Sequence, residues 1–329
     1  VSDGSVITTV IDAGGRYGLH PTWKPFGGEL HYVLFEPDPS EARRLEVKYR
    51  RRDGEVFVEA IALGERTGQL SINFFRNRAM SSSAVRKSVS ALFTDERASE
   101  VEIVDSLDVT MVTVDDYCSD RGLEADFLKL DTEGSEFDIL KGAQQQLAKE
   151  TLGIRSEVSF ERIFEGKALF GALHEFLLDR NFYLLNLDYD GRGEYQNEFV
   201  RVDGKYGVLQ AADGVWLLRK NELFGRRGSE VQRAARILKY AAFCLNNFAS
   251  DVAIDVLLDA RRAHGIDFRT AGDSRLYKYV DIGVHKLFYD LKWQPGQSLR
   301  KNESVYSEIF DKEMKKMNEY MQSEELNPD

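Results

Sequence analysis

The chain has 329 residues, 43% of them hydrophobic, and its 55 acidic residues outnumber 44 lysines and arginines for a formal net charge of −11. That balance disfavours nucleic acid or an anionic membrane surface as a default partner. Cys118 and Cys244 are too few for a disulfide framework or a four-thiolate zinc site, and the five histidines show no H-E-x-x-H or other close metal-ligand spacing.

No apolar run approaches the roughly 18–20 residues of a membrane span, and no signal peptide is visible, so a cytoplasmic, reducing setting is expected. The chain opens at Val1 without a methionine, close to its first expected strand, which is compatible with a segment upstream. Apolar runs at 6–12, 30–36, 56–63, 127–131, 154–160, 182–188 and 215–219 read as strands. Several are continuous, as strands covered on both faces require. Helical patterns at 40–49, 135–149 and 168–180 fall between them, the last with a clear apolar face at Leu169, Leu173, Phe176 and Leu177. Ser135 with Asp138 resembles a capping box that starts the middle helix. This alternation implies an α/β fold built on a doubly wound, mostly parallel Rossmann-like sheet.

Two regions depart from that rhythm. Residues 69–113 offer strands at 70–75, 101–104 and 109–114 and a polar loop with Met80-Ser81-Ser82-Ser83 at its tip, read as a strand-rich insertion or flap over the ligand edge. From 225 onward helical stretches are expected at 230–247, 250–264, 274–292 and 303–322. The expected organisation is a domain over 1–224 and an all-helical module over 225–329, the latter a candidate surface for homodimerisation. Arg43, Arg44 and the run from Lys48 to Arg52 form a basic patch that reads as a solvated helix face and turn.

Chemistry concentrates at strand ends. The first strand breaks into Asp12-Ala13-Gly14-Gly15-Arg16-Tyr17-Gly18, a glycine-rich turn with an acid at its mouth. Glu36 and Asp38 follow about 20 residues later, the spacing of a ribose-binding carboxylate. Nicotinamide enzymes share that pattern, but Asp12 would repel a pyrophosphate while attracting the ammonium and sulfonium of S-adenosylmethionine. A dinucleotide fingerprint also wants glycine where Ala13 stands. The run Phe127-Leu128-Lys129-Leu130 then delivers Asp131-Thr132-Glu133-Gly134-Ser135-Glu136 to the same sheet edge, where open α/β sheets bind ligands.

In order, Ile11-Asp12-Ala13-Gly14, Phe35-Glu36-Pro37-Asp38-Pro39, Ala60-Ile61-Ala62-Leu63-Gly64, Val114-Asp115-Asp116-Tyr117 and Phe127 through Glu136 with Ile139-Leu140-Lys141-Gly142-Ala143 resemble the motifs of FkbM-type methyltransferases, over about residues 6–220. The last motif is specific; the first two occur in many methyltransferases. The resemblance implies methyl transfer from S-adenosylmethionine to a hydroxyl oxygen of a sugar, glycan or polyhydroxylated natural product, without a metal. It places the cofactor across Asp12, Gly14, Gly15, Gly18, Glu36, Asp38, Ala60, Ile61 and Ser82, with Asp131 beside the methyl group. Candidates for removing the acceptor's proton are Asp131, Glu133, Glu157 and His20, each with a structural alternative: Asp131 as a positioning group, Glu133 as a helix cap, Glu157 as an ion-pair partner of Arg155, His20 as a loop histidine. Asp188, Tyr189 and Tyr195 form a polar aromatic stretch suited to a sugar.

One residue departs from the family pattern. Arg16 stands where asparagine is usual, and a guanidinium accepts no hydrogen bond. It swings away, binds an acidic substrate, or weakens the cofactor site. The last option motivates an alternative reading, a catalytically weak cofactor-binding scaffold whose helical module recruits partners. Nucleic-acid methylation is disfavoured by charge and by the absence of an Asn-Pro-Pro-aromatic motif.

Overall fold

The computed structural model describes residues 6–50, 56–85, 99–193, 208–271, 274 and 276–281. They form two compact units. The larger, which runs from Thr8 to Arg226 apart from His20–Leu30, has a Rossmann-like methyltransferase fold. Its seven-stranded sheet is built from β1 (Thr8–Ala13), β2 (Leu30–Phe35), β3 (Val56–Glu59), β7 (Phe127–Leu130), β8 (Gly153–Ser159), β9 (Phe182–Gly193) and β10 (Val208–Leu218), in the order β3-β2-β1-β7-β8-β10-β9. Pairs β2/β3, β1/β7 and β7/β8 are parallel; β10 runs antiparallel to both β8 and β9. Every residue of β1 and β7 is buried, as a central strand covered on both faces requires.

Segment 56–63, read as one strand, is split between two sheets. β3 ends at Glu59, and β4 (Ala62–Leu63) joins β5 (Gly68–Phe75) and β6 (Ile103–Val112) in a three-stranded sheet ordered β4-β6-β5. Ala62, Ile72, Phe74, Val109 and Met111 form its core. The strands expected at 101–104 and 109–114 are a single β6, and the chain then turns directly into a helix at Val114–Arg121 that the sequence pattern did not suggest. Thr113 caps that helix by accepting from Asp116 N at 2.9 Å.

The helix expected over 135–149 is two, Glu136–Lys141 and Gln144–Lys149. A side chain at Gly142 would lie 2.1 Å from the Gly64 carbonyl oxygen, so glycine permits the contact that separates them. Asp115 closes the second helix from outside, its carboxylate accepting from Gln145 N (2.9 Å) and Gln146 N (3.0 Å). The Ser135–Asp138 capping box does not form. Ser135 makes no side-chain cap, and Asp138 is drawn to Lys167 (2.9 Å) and Lys141 (3.0 Å). The third expected helix is shorter than read, Phe170–Leu178.

The smaller unit includes His20–Leu30 as well as the residues from Arg227. Helix Glu230–Asn246 starts with a reciprocal capping box between Ser229 and Gln232 and packs along Ser250–Arg262. Trp23, in the 3₁₀ helix Pro21–Glu29, stacks on Phe243 with centroids 5.5 Å apart, and Asn246 Nδ2 donates to Thr22 O at 2.9 Å. The helix expected at 274–292 is described only to Asp281, and the one expected at 303–322 lies outside the described residues. No helix among the described residues is long and apolar enough to cross a membrane.

Candidate active site

Three strand ends are sewn together by backbone. Asp131 N donates to Ala13 O at 3.0 Å, joining the tips of β7 and β1, while Gly14 N and Gly15 N both donate to Phe35 O at the end of β2 (3.1 and 3.3 Å). The first two amides of the glycine turn therefore serve the fold, not a ligand as a strand-to-helix turn would suggest. Gly14 adopts φ +83°, and a Cβ there would sit 1.7 Å from Asp131 O. Gly15 is packed against Leu34 and Gly18 against the Tyr49 hydroxyl.

Around this junction opens a cleft whose empty space, open mouth included, is about 700 Å³. Its lining includes Gly14, Arg16, Glu36, Asp131, Thr132 and Glu133. Apolar lining comes from Ile61, Leu63, Leu70, Ile72 and Phe74, brought by the loop after β3 and by the small sheet. Glu36 is 5% exposed, accepts from Asp38 N at 2.9 Å, and is pushed up to about 7 by burial against the counteracting Asp38 amide and Arg16 charge. Asp131 projects from the end of β7 with its side chain partly exposed.

Several expected residues stand elsewhere. Asp12 has no exposed surface. Burial pushes its carboxyl up, while Lys129 and the Tyr32 hydroxyl, which donates to it, act in the opposite direction. It lies beneath the turn rather than facing a donor, because a carboxylate pointing inward from a covered strand needs buried partners. Asp38 caps helix α1 (Pro39–Tyr49), accepting from Ser40 N and Oγ at 3.0 and 2.7 Å, and pairs with Arg16 (3.5 Å) and Arg78 (3.7 Å). Burial opposes its charge, but the Ser40 hydrogen bonds and Arg16 outweigh it and hold the carboxyl below its usual value. Ala60 is exposed beside Ile61 and outside the lining. Ser82 does line the cleft, but it is 2% exposed and spends its hydroxyl on Glu133 O at 2.5 Å. His20 belongs to the helical unit, where its Nδ1 accepts from Thr22 N at 3.3 Å and caps the 3₁₀ helix. Glu157 lines a second, smaller cleft with Glu136, Lys167 and Phe170. Burial, then the charges of Glu133, Glu136, Asp131 and Asp213, push its carboxyl well up. Arg155, its expected partner, instead pairs with Asp213 (2.7 Å) and Asp188 (3.5 Å). The side chains of Tyr189 and Tyr195 lie outside the described residues.

Two residues without an assigned role in the sequence organise the site. Lys129 is buried between Asp12 Oδ1 (3.2 Å), Asp131 Oδ2 (3.3 Å) and Gly14 O (3.4 Å). Burial disfavours its charge, but the two carboxylates more than restore it, and Lys129 remains a cation. A lysine inside the four-residue buried strand of β7 was the available signal, since such a charge must be paired. Glu136, also buried, accepts from Thr132 N (2.7 Å), Thr132 Oγ1 (2.9 Å) and Gly134 N (3.1 Å), binding the loop after β7 into shape. Among the described residues no group of histidine, cysteine, aspartate or glutamate is arranged to hold a metal ion.

The sequence model of the methyltransferase FkbM domain matches residues 12–184, more than half of the chain, and that span takes in Gly14, Glu36, Lys129, Asp131 and Glu157. The chain belongs to the FkbM methyltransferase family. Similar solved structures include methyltransferase FkbM from Methylobacillus flagellatus KT (15% identity, TM-score 0.38), with 64% of this chain and 44% of that one covered. Another is the 23S rRNA methyltransferase ErmE (10% identity, TM-score 0.29), with 84% and 92% covered. The chain spans less than half of the length of the Methylobacillus protein. Among curated proteins nothing matches the chain.

Proposed function

We propose that the protein is an S-adenosylmethionine-dependent O-methyltransferase acting on a hydroxyl of a glycan or other polyhydroxylated molecule. The observation that carries this reading is a cleft lined together by Glu36, just past the end of β2, by Asp131, just past the end of β7, and by the apolar Leu63, Leu70, Ile72 and Phe74. The residues present fit the cofactor. Glu36 suits ribose hydroxyls, because a carboxyl near its pKa both donates and accepts. Leu63, Leu70, Ile72 and Phe74 suit a purine. Asp131 and the Thr132 hydroxyl suit an ammonium group.

When bound, the cofactor supplies an electrophilic methyl group on a sulfonium. The protein's task is to align an acceptor oxygen and take its proton. Alignment alone is worth up to about 7–11 kcal/mol in favourable cases. Asp131, fixed by Lys129, acts in this reading as a positioning carboxylate. Glu133 in the first cleft and Glu157 in the second serve as the proton acceptors, with burial and the neighbouring carboxylates raising the proton affinity of Glu157. Residues 1–224 are taken as the catalytic domain and 225–329 as a helical module available for self-association, which size-exclusion chromatography tests.

Calorimetry with S-adenosylmethionine and S-adenosylhomocysteine tests the cofactor assignment; binding of NADH with no binding of either would overturn it. Methyl transfer to a panel of sugars and nucleotide sugars, lost in Asp131→Ala with the fold intact, is the expected catalytic result. Turnover at no hydroxyl acceptor would instead favour the scaffold reading.

A further inference from the structure

Arg16 and Arg78 approach one carboxylate from different parts of the fold. Arg16 lies in the glycine turn, Arg78 in the 3₁₀ helix Arg78–Met80 that follows β5, and both line the main cleft. Asp38 Oδ1 is taken by Ser40, which leaves Oδ2 to face two guanidinium groups at 3.5 and 3.7 Å. Those separations are ion pairs without hydrogen bonds. Among the described residues neither guanidinium donates a side-chain hydrogen bond; Arg78 has only the Phe74 ring beneath it, 4.3 Å from the centroid. Two cations sharing one anion leave a local positive charge in a chain of net charge −11. Glu36 is the other carboxyl near Arg16, and it is only partly ionised at neutral pH. Each guanidinium presents a planar fork of donors matched to the two oxygens of a carboxylate or phosphate.

We propose that Arg16 and Arg78 form the docking point for an oxyanion, a phosphate or carboxylate, carried by the acceptor. The acceptor class then narrows from a neutral polyol to an acidic or phosphorylated one. This rests on the methyltransferase reading of the same cleft. It also gives Arg16, the departure from the family pattern, a role that asparagine would not fill.

The test is calorimetric titration of the 329-residue chain with glucose 6-phosphate, glucuronate, glucose and inorganic phosphate. Either anionic sugar is expected to bind at least tenfold more tightly than glucose. Arg16→Asn with Arg78→Gln should weaken that binding at least tenfold, whereas Arg180→Gln with Arg219→Gln, which removes two positive charges from residues that line neither cleft, should leave it within twofold. Equal binding of glucose and both anionic sugars, or no effect of the double variant, overturns the proposal. Inorganic phosphate binding as tightly as glucose 6-phosphate also overturns it, because the site would then take a free anion. Arg78→Gln alone, at a partly exposed side chain, is expected to show at least a threefold loss and keeps the test readable if the double variant does not fold. Failure of the wild type to bind S-adenosylhomocysteine would sink the underlying cofactor reading separately, whatever the anions do.

Discussion

Lys129 Nζ lies 3.2 Å from Asp12 Oδ1 and 3.3 Å from Asp131 Oδ2, so one buried cation ties the hidden end of β1 to the carboxylate that faces the cleft. Tyr32 donates to the other Asp12 oxygen and completes the inner end of the chain. Removing one partner of such a pair leaves an uncompensated buried charge, which typically costs about 3–5 kcal/mol. Lys129→Met is therefore expected to destabilise the protein by that order in urea unfolding. Asp12→Asn combined with Lys129→Met should recover at least half of the loss. If the double variant is no more stable than the single, the two residues are not coupled as described.

Glu36 gives a pH signature. Its carboxyl in the folded protein is raised from 4.5 to about 7, so the folded state binds that proton more tightly than the unfolded chain. The associated stability is fully present below pH 4.5 and is lost as pH rises through about 7, an effect on the order of 3 kcal/mol. Glu36→Gln retains the shape and the acceptor for Asp38 N without a charge to bury. The variant is expected to match the wild type near pH 4, to exceed its stability at pH 8, and to bind S-adenosylhomocysteine at least tenfold more weakly. Parallel stability–pH curves for the two proteins would contradict the burial argument.

Gly14 is held by two independent constraints, a left-handed backbone and the Asp131 carbonyl oxygen 1.7 Å from where a Cβ would stand. Gly14→Ala must separate β1 from β7 at their tips. A loss of more than about 2 kcal/mol is expected, the range of changes where native φ is incompatible and packing is forced. Gly68→Ala, with open space around it, is the contrast. Similar melting temperatures for the two variants would show that the junction yields easily.

What was legible in the sequence was whatever depends on local pattern. The buried strands, and the positions of the glycine turn, Glu36 and the Asp131 loop at their ends, were readable because continuous apolar runs and the residues that follow them are local facts. The burial of Asp12 was not readable because a strand end does not reveal which way its side chain points; only the pairing with Lys129 and Tyr32 does. Ser82 and Asp38 carry polar groups suited to a ligand, yet distant backbone and arginine partners claim them. The break at Gly142 depends on Gly64, far away in the chain. Long-range contacts decided each of these, and periodicity does not encode them.

Glu133 takes φ +56°, a left-handed conformation that side chains rarely adopt, on the loop bearing Asp131. Its neighbours enforce it: Glu136 binds the amides of Thr132 and Gly134, and Ser82 Oγ donates to Glu133 O. Such a residue stores on the order of 1–3 kcal/mol of strain, characteristically near functional sites. Glycine has no penalty there, whereas alanine retains it. Glu133→Gly should therefore be more stable than Glu133→Ala by about 1 kcal/mol in chemical denaturation, the strain relieved being partly offset by the greater freedom of the unfolded glycine chain. Glu136→Gln should lower methyl-transfer kcat at least tenfold and lower the melting temperature as well, because an amide cannot hold three donors as a carboxylate does and leaves a buried donor unpaired. An alanine variant as stable as the glycine one would mean the loop carries no strain, and the Glu133 carboxylate would then have to be positioned by its own contacts rather than by the backbone beneath it.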